Sequence, residues 1–433
     1  MSETVRYAGD IDIVHVSVIS SKDQKHTITK QVDSFEIYED LFSPFISGSM
    51  AIRDSHEFTS LLPFIGEEII IITMKTPGGF EYKKSFSIYK MGDRTEMSKD
   101  NVVFTIHFMS KEGIIDQNRK ISKGFYGDIA KESGDCIVRK LVEDPLGLNI
   151  KNSNEKKPIV IENSISQTRY VSNFWSPVQN LNYLTELTVT ESDKPSPTYI
   201  FFENAKGFYF VSMESLYKNT YGDPDIPKFI WSKIPPDELD IEESYKHIIN
   251  FDTPQTFDYM KRLQGGMYGT EVISYDILTK QYSHVGYKPE FDKTSHVNKY
   301  TPQSKEPPTH NRAQVIHVPK YFNNYDDYKD TTSAKHIQNR LGLMSSAESF
   351  KLNIVVNGKT NYRVGQIVDI NFPLHTQMNE QLSKGRDMQD KVYSGKYLIA
   401  ALCHKITKQK HVCTMEVIKD TYMVDTQENF FDP

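Results

Sequence analysis

The strongest constraint on this chain is a pattern that occurs twice. Residues 63–77 read PFIGEEIIIITMKTP, and residues 362–373 read YRVGQIVDINFP. In each, a glycine (Gly66, Gly365) precedes an acidic or amide residue, an alternating apolar run and a proline. Alternation with period two marks a strand with one buried face, and Gly and Pro mark where it stops. Each copy then continues as strand, polar turn and strand: FSIYKMGDRTEMSKDNVVFTIHFMS in the first, KYLIAALCHKITKQKHVCTMEVIKD in the second. The span from Gly66 to Phe86 is shorter than that from Gly365 to Tyr397. The excess falls in the polar loop Gln377 to Lys391, where lengthening costs little. That loop is expected to lie off the wall that the two copies share. A chain built this way is expected to fold around two related antiparallel β-units.

Length and composition agree with several domains. A chain of 433 residues exceeds the usual size of one. It is 38% hydrophobic and 25% charged, enough apolar residue for real cores. No apolar run approaches the ~20 residues that span a bilayer, so no membrane insertion is expected. The start, MSETVRYAGDIDIVHV, lacks a basic segment followed by an apolar one, so no signal peptide is expected. Three cysteines, Cys136, Cys403 and Cys413, argue against a disulfide framework and for assembly in a reducing cytoplasm. A formal net charge of -6 excludes a basic nucleic-acid binder.

Read in order, residues 1–115 form a first β-barrel unit, strands almost throughout. From 116 to 250 the texture becomes α+β, ending in an acidic Pro-rich linker. Helical spacing of Ile129, Cys136, Ile137 and Leu141 predicts one helix within residues 124–147. Ser176 as N-cap, Pro177 at the first helical position and the stripe Val178, Leu181, Leu184, Leu187 predict another. A hairpin is expected to turn over Asn204 to Gly207. Residues 251–287 and 348–424 compose the second β-barrel unit, with a short helix ending at Gly265 and Gly266. Residues 288–347 are a polar peripheral excursion containing a helix, and 425–433 a tail. The expected class is therefore β-rich α+β: two similar antiparallel barrels with an α+β domain and a polar excursion inserted. Trp175 and Trp231 read as packing anchors. In the Ile69 to Ile72 run, one face is expected in the core and the other against a neighbouring chain.

No chemical site emerges. Gly358-Lys359-Thr360 ends like a phosphate-binding loop, but the required upstream glycine is Asn353 and no helix follows. His56-Glu57 begins a zinc-protease string whose later ligand position is Ser60. Cys403, His404, His411 and Cys413 cluster in the last hairpin. Alternation turns Cys403 and His404 to opposite faces and puts His411 and Cys413 on one, so half the set is expected to face away from any metal. No catalytic residue, cofactor or metal ligand is assigned.

The order of elements and the motifs Trp175-Ser176-Pro177, the hairpin from Glu203-Asn204 to Glu214-Ser215, and Ser394-Gly395-Lys396-Tyr397 resemble the baseplate hub subunit of contractile-tailed bacteriophages. The hub part of type VI secretion spike proteins is similar in plan. The resemblance spans nearly the whole chain and implies a homotrimer, with two similar barrels per chain making a ring of pseudo-sixfold symmetry. It implies a structural virion protein of the tail baseplate, assembled in the host cytoplasm. The implied partners are a central spike protein, a tail tube or tube-initiator protein, and surrounding baseplate wedge proteins. DNA and tape-measure protein would only pass through during genome ejection. One alternative is the hub of a type VI or extracellular contractile injection spike, which is expected to carry an OB-fold and β-helical extension that this sequence does not contain. Another is a β-rich enzyme or carbohydrate-binding protein with a groove between the barrels.

Overall fold

The structure is a computed structural model. It describes residues 7–54, 64–76, 81–98, 101–145, 147–148, 157–193, 195–232, 240–275, 280–287, 295–300, 314–319, 334–373 and 389–424. The His56-Glu57 pair and most of the loop from Gln377 to Lys391 lie outside the described residues, as does the 425–433 tail.

The N-terminal part contributes β1 (Asp12–Ile19), β2 (Lys25–Thr27), β3 (Val32–Asp40), β4 (Ser47–Asp54), β5 (Ile69–Lys75), β6 (Glu81–Ser98) and β7 (Asn101–Ser110). There follow α1 (Lys111–Asn118), β8 (Ile121–Asp128), α2 (Ile137–Glu143), β9 (Ile159–Ile161), β10 (Gln167–Trp175) and α3 (Pro177–Leu187). Next come β11 (Tyr199–Asn204), β12 (Gly207–Ser212), α4 (Met213–Tyr217), β13 (Lys228–Ile230), α5 (Ile241–Lys246) and β14 (Ile248–Gln255). The chain continues through α6 (Tyr259–Gln264), β15 (Thr270–Tyr275), β16 (Tyr282–Tyr287), β17 (Gln314–Pro319) and α7 (Ala334–Ala347). It closes with β18 (Phe350–Asn357), β19 (Ile367–Asn371), β20 (Gly395–Thr407) and β21 (His411–Lys419).

Thirteen strands share one sheet, in the order β14-β18-β21-β20-β3-β4-β7-β6-β5-β1-β2, with β19 and β13 branching from β20. Among the described residues these pairings run as an open path. The class is β-rich α+β, with large antiparallel sheets.

Two five-strand units lie within this sheet. In the first, β3, β4, β5, β6 and β7 pair in the order β3-β4-β7-β6-β5. In the second, β14, β18, β19, β20 and β21 pair in the order β14-β18-β21-β20-β19. Taken in chain order, the two units have the same topology, and every pair in both is antiparallel. Finer features repeat as well. Gly66 and Gly365 both adopt positive φ, +95° and +79°, just before the third strand. The carbonyl of Glu68 accepts the Ile88 amide, and that of Gln366 accepts the Ile399 amide, each at 3.0 Å. Register then slips between Ile88 and Lys90 in one unit and between Ile399 and Ala401 in the other. Such bulges bend a strand and are positioned features of a fold, so a matched pair is strong evidence of repetition.

Each unit has its own core. The first buries Val16, Phe35, Met50, Ile70, Ile72, Phe86 and Phe108, and Ile406 of β20 joins them. The second buries Leu352, Ile354, Ile367, Leu398, Met415 and Val417. Of the isoleucine run, Ile70 and Ile72 face the core while Ile69 and Ile71 are half-buried, so one face of β5 is committed inward.

A third core belongs to the α+β region. Its helix α3 forms as the sequence predicts. Ser176 accepts from Gln179 N at 3.2 Å and Gln179 answers to Ser176 N at 2.8 Å, a reciprocal cap that satisfies two otherwise orphaned amides. Trp175 packs against Tyr170 and Tyr183, and Trp231 against Phe251. The hairpin β11–β12 is buried on both faces. Tyr199, Phe201, Phe208 and Phe210 point into this third core, whereas Ile200, Phe202, Tyr209 and Val211 point into the second unit. That explains its nearly unbroken apolar sequence.

Three expectations change. The helix expected within residues 124–147 covers only Ile137–Glu143, because Ile121–Asp128 pairs with β10 as a strand. The segment before Gly265 is a helix only from Tyr259; Ile248–Gln255 is β14, the first strand of the second unit. The strands at 270–275 and 282–287, read from sequence as part of the second unit, pair with β17 in a separate sheet. No helix among the described residues is long and apolar enough to cross a membrane.

Candidate functional site

The two units meet along one strand pair. The outer half of β20, Ala401 to Thr407, pairs with β3 from Asp40 to Ser34. Across this joint Lys405 Nζ lies 3.1 Å from a Glu36 carboxylate oxygen. That ion pair raises the Lys405 ammonium's pKa and, with the Tyr38 hydroxyl as the larger cause, lowers that of Glu36. Leu41 N extends the joint, donating to Ala400 O at 2.8 Å.

The repeat contains the same joint a second time, unmade. The counterpart of β20 is β6. Beyond its bulge, from Lys90 onward, β6 pairs with β7 on one side, and among the described residues no strand occupies the other. The counterpart of β3 is β14, which pairs with β18 and ends the sheet. Unpaired strand edges of this kind are ready to accept another strand. Pro254, within β14, fits an edge position, because proline has no N–H to donate to a ladder.

Register identifies matching residues at the two edges. Glu36 faces Ser49 in β4, and Asp252 faces Asn353 at the equivalent place in β18. Asp252 is therefore the counterpart of Glu36, and Phe251 that of Phe35. By ladder register Thr95 is the counterpart of Lys405, because it faces Val103 as Lys405 faces Val412; Arg94 adjoins it within a second slip, between Gly92 and Thr95, that β20 lacks. Arg94 and Asp252 are both exposed. The two edges thus carry opposite charges along matching stretches, with Arg94 one residue from the Lys405 position. The signal was present in the sequence as SFEI at 34–37 and NFDT at 250–253.

A buried ionic group holds the α+β region to the units. Lys157 Nζ lies 2.6 Å from both Glu112 and Glu203. Burial opposes its charge, yet the two carboxylates prevail and its pKa is raised. Glu203 also accepts from Ser110 Oγ at 2.6 Å and from Ile46 N at 3.1 Å. Nearby Glu39, wholly buried, accepts Val364 N at 3.2 Å, and burial pushes its carboxyl up to about 7. Arg340 of α7 donates to the carbonyls of Thr185, Pro197 and Tyr199. These groups are consumed in structural contacts.

The last hairpin differs from expectation. Strand alternation alone leaves half of Cys403, His404, His411 and Cys413 facing away. The register of β20 on β21 places His404 directly opposite Cys413, and directly opposed residues share a face. His411 lies on the same face of β21, so three of the four converge and only Cys403 turns away, toward the Tyr38 side of the ladder. His404 Nδ1 is 3.0 Å from His411 Nε2, and Cys413 Sγ is 3.2 and 3.5 Å from them. All three side chains are at most 1% exposed. Burial lowers the His404 imidazole to about 4, lowers the His411 imidazole well below its usual value and raises the Cys413 thiol.

Gly358-Lys359-Thr360 lies between β18 and β19, with Thr360 N donating to Thr76 Oγ1 at 3.0 Å. It opens no helix, so its amides do not form a phosphate cradle.

No protein-family model and no curated protein matches this sequence. Solved structures do share the fold. The tail protein from Neisseria meningitidis MC58 superposes with a TM-score of 0.54 at 12% identity, over 94% of this chain and 96% of that one. The 43 kDa tail protein of prophage MuSo2 from Shewanella oneidensis gives 0.52 at 8% identity, over 94% and 98%. This chain therefore shares its fold with these two tail proteins over 94% of its length, as the resemblance of its element order implied.

Proposed function

We propose that the protein is a structural, non-enzymatic subunit of a contractile-tail baseplate: a hub in which three copies close a ring. The observation that carries this reading is a joint made once and left open once. Within a chain, β20 of the second unit pairs with β3 of the first. Between chains, β6 of the first unit would pair with β14 of the second unit of the next copy, with Thr95 opposite Asp252 and the neighbouring Arg94 within reach of that carboxylate. Repeating like joints around an axis gives closed cyclic symmetry, and two units per chain double its apparent order. Three chains then present six similar units, a match for a six-fold tail tube on one side and a three-fold spike on the other. The shared fold with tail proteins supports the setting. The lumen would pass DNA and tape-measure protein, and baseplate wedge proteins would surround the α+β region and the 288–347 excursion.

The pairing is tested by charge exchange. Arg94→Asp sets like charges across each inter-chain joint and is expected to weaken assembly about tenfold or more in sedimentation equilibrium. Asp252→Arg is expected to do the same. The double variant restores the pair and the mass. Single variants that assemble like the parent, or a double variant no better than the singles, would rule out this edge as the joint.

A further inference from the structure

We infer that His404, His411 and Cys413 form a structural zinc site at the joint between the two β-units. Nothing in the hub role requires such a site, and the observations behind it are local.

The first observation is geometric. Zinc bonds of about 2.0–2.1 Å to nitrogen and about 2.3 Å to sulfur, set tetrahedrally, separate nitrogens by roughly 3.3 Å and nitrogen from sulfur by roughly 3.6 Å. The three ligand atoms stand 3.0, 3.2 and 3.5 Å apart, so each edge is shorter than that triangle's by a few tenths of an ångström or less. They come from two adjacent strands held in fixed register.

The second observation is a count of protons. His404 also donates to the main-chain carbonyl of Tyr362, which assigns its proton to Nε2 and leaves Nδ1 a lone pair. Without a metal, only the His411 Nε2–H and the Cys413 S–H remain to serve three mutual contacts. Two protons cannot serve three contacts, so in any arrangement one of the three is left unbonded. A buried group left so poorly satisfied is costly. A divalent ion takes all three lone pairs at once. The amide of Lys359 donates to Cys413 Sγ, the kind of contact that supports a thiolate. The contact from His404 to Tyr362 orients a ligating ring in the way carbonyls commonly do.

The donor set selects the ion. One thiolate and two imidazoles suit Zn2+ and exclude the oxygen-seeking Ca2+ and Mg2+. Zinc held by three side chains takes a small fourth ligand such as water. Full burial makes this a site loaded during folding. His404 pairs in register with Ile37 of β3, so the ion would lock the last hairpin beside the inter-unit joint. Gly358 is suited to its place there: a Cβ would come within 2.3 Å of the His411 ring.

The test uses the full untagged chain, expressed with zinc and dialysed. Elemental analysis is expected to find one zinc per chain, and Cys413→Ser and His404→Gln to lose it. Should those variants fail to fold, unfolding the parent and refolding it with Co2+ gives an independent reading. A thiolate-to-cobalt absorption band and tetrahedral ligand-field bands are expected. The inference is overturned if the folded parent carries no stoichiometric metal and refolds in EDTA to the same melting temperature as in zinc. It is equally overturned if cobalt gives no thiolate band.

Discussion

Glu214 shows how one buried carboxyl shapes stability. It lies in the first turn of α4, only 6% exposed, and its Oε1 has no partner. Burial raises its pKa to about 7, against a smaller lowering by the Ser196 hydroxyl. The folded chain therefore holds this proton more tightly than the unfolded chain. Below the unfolded value near 4.5 both states are protonated and nothing is lost. Between that value and about 7 the unfolded state releases its proton first, so stability falls as pH rises. Glu214→Gln removes this dependence. Chemical denaturation should find the variant's advantage growing from pH 5 to pH 8, toward about 3 kcal/mol at most. An advantage independent of pH would show that Glu214 ionises without penalty. Gly48, near the start of β4, is limited by space instead. A Cβ there would meet the Glu36 carbonyl at 2.4 Å and the Phe108 ring at 2.5 Å. Gly48→Ala is expected to cost about 2 kcal/mol, measured by urea unfolding. An unchanged midpoint would mean that β3 and β7 yield at little cost.

At the scale of elements, what could be read from sequence depended on whether local signals sufficed. The helix α3 was legible because its cap, its proline and its apolar stripe are all local and agree. The strands of β5, β19, β20 and β21 were legible by alternation. Strand β14 was not, because IINFDTPQ carries a proline and a mixed burial pattern and sits beside a helical segment. It becomes recognisable only when Phe251 and Asp252 are aligned with Phe35 and Glu36 through the ladders. Strand β8 was hidden by helix-spaced residues that belong partly to α2. The convergence of His404 with Cys413 was hidden for a different reason. Alternation within one strand fixes which residues share its face, but register between strands decides which residues meet across it.

For the whole molecule, duplication was legible from a short glycine-led motif, and the ladders extend it to five strands and a matched bulge. The ring was implied by resemblance, and its symmetry has a physical source in the repeat. The proposed closing joint needs a second chain, because β14 ends the sheet while the free stretch of β6 lies far along it, between β7 and β5 in the order. The account's central claim is that three copies supply these edges to one another. Its most direct test is the solution mass of the full chain by light scattering at tens of micromolar, with negative-stain images of the same sample. The account predicts a species of three 50.0 kDa chains with a central hole. A species that keeps the mass of a single chain at that concentration, with or without a spike partner, would contradict it.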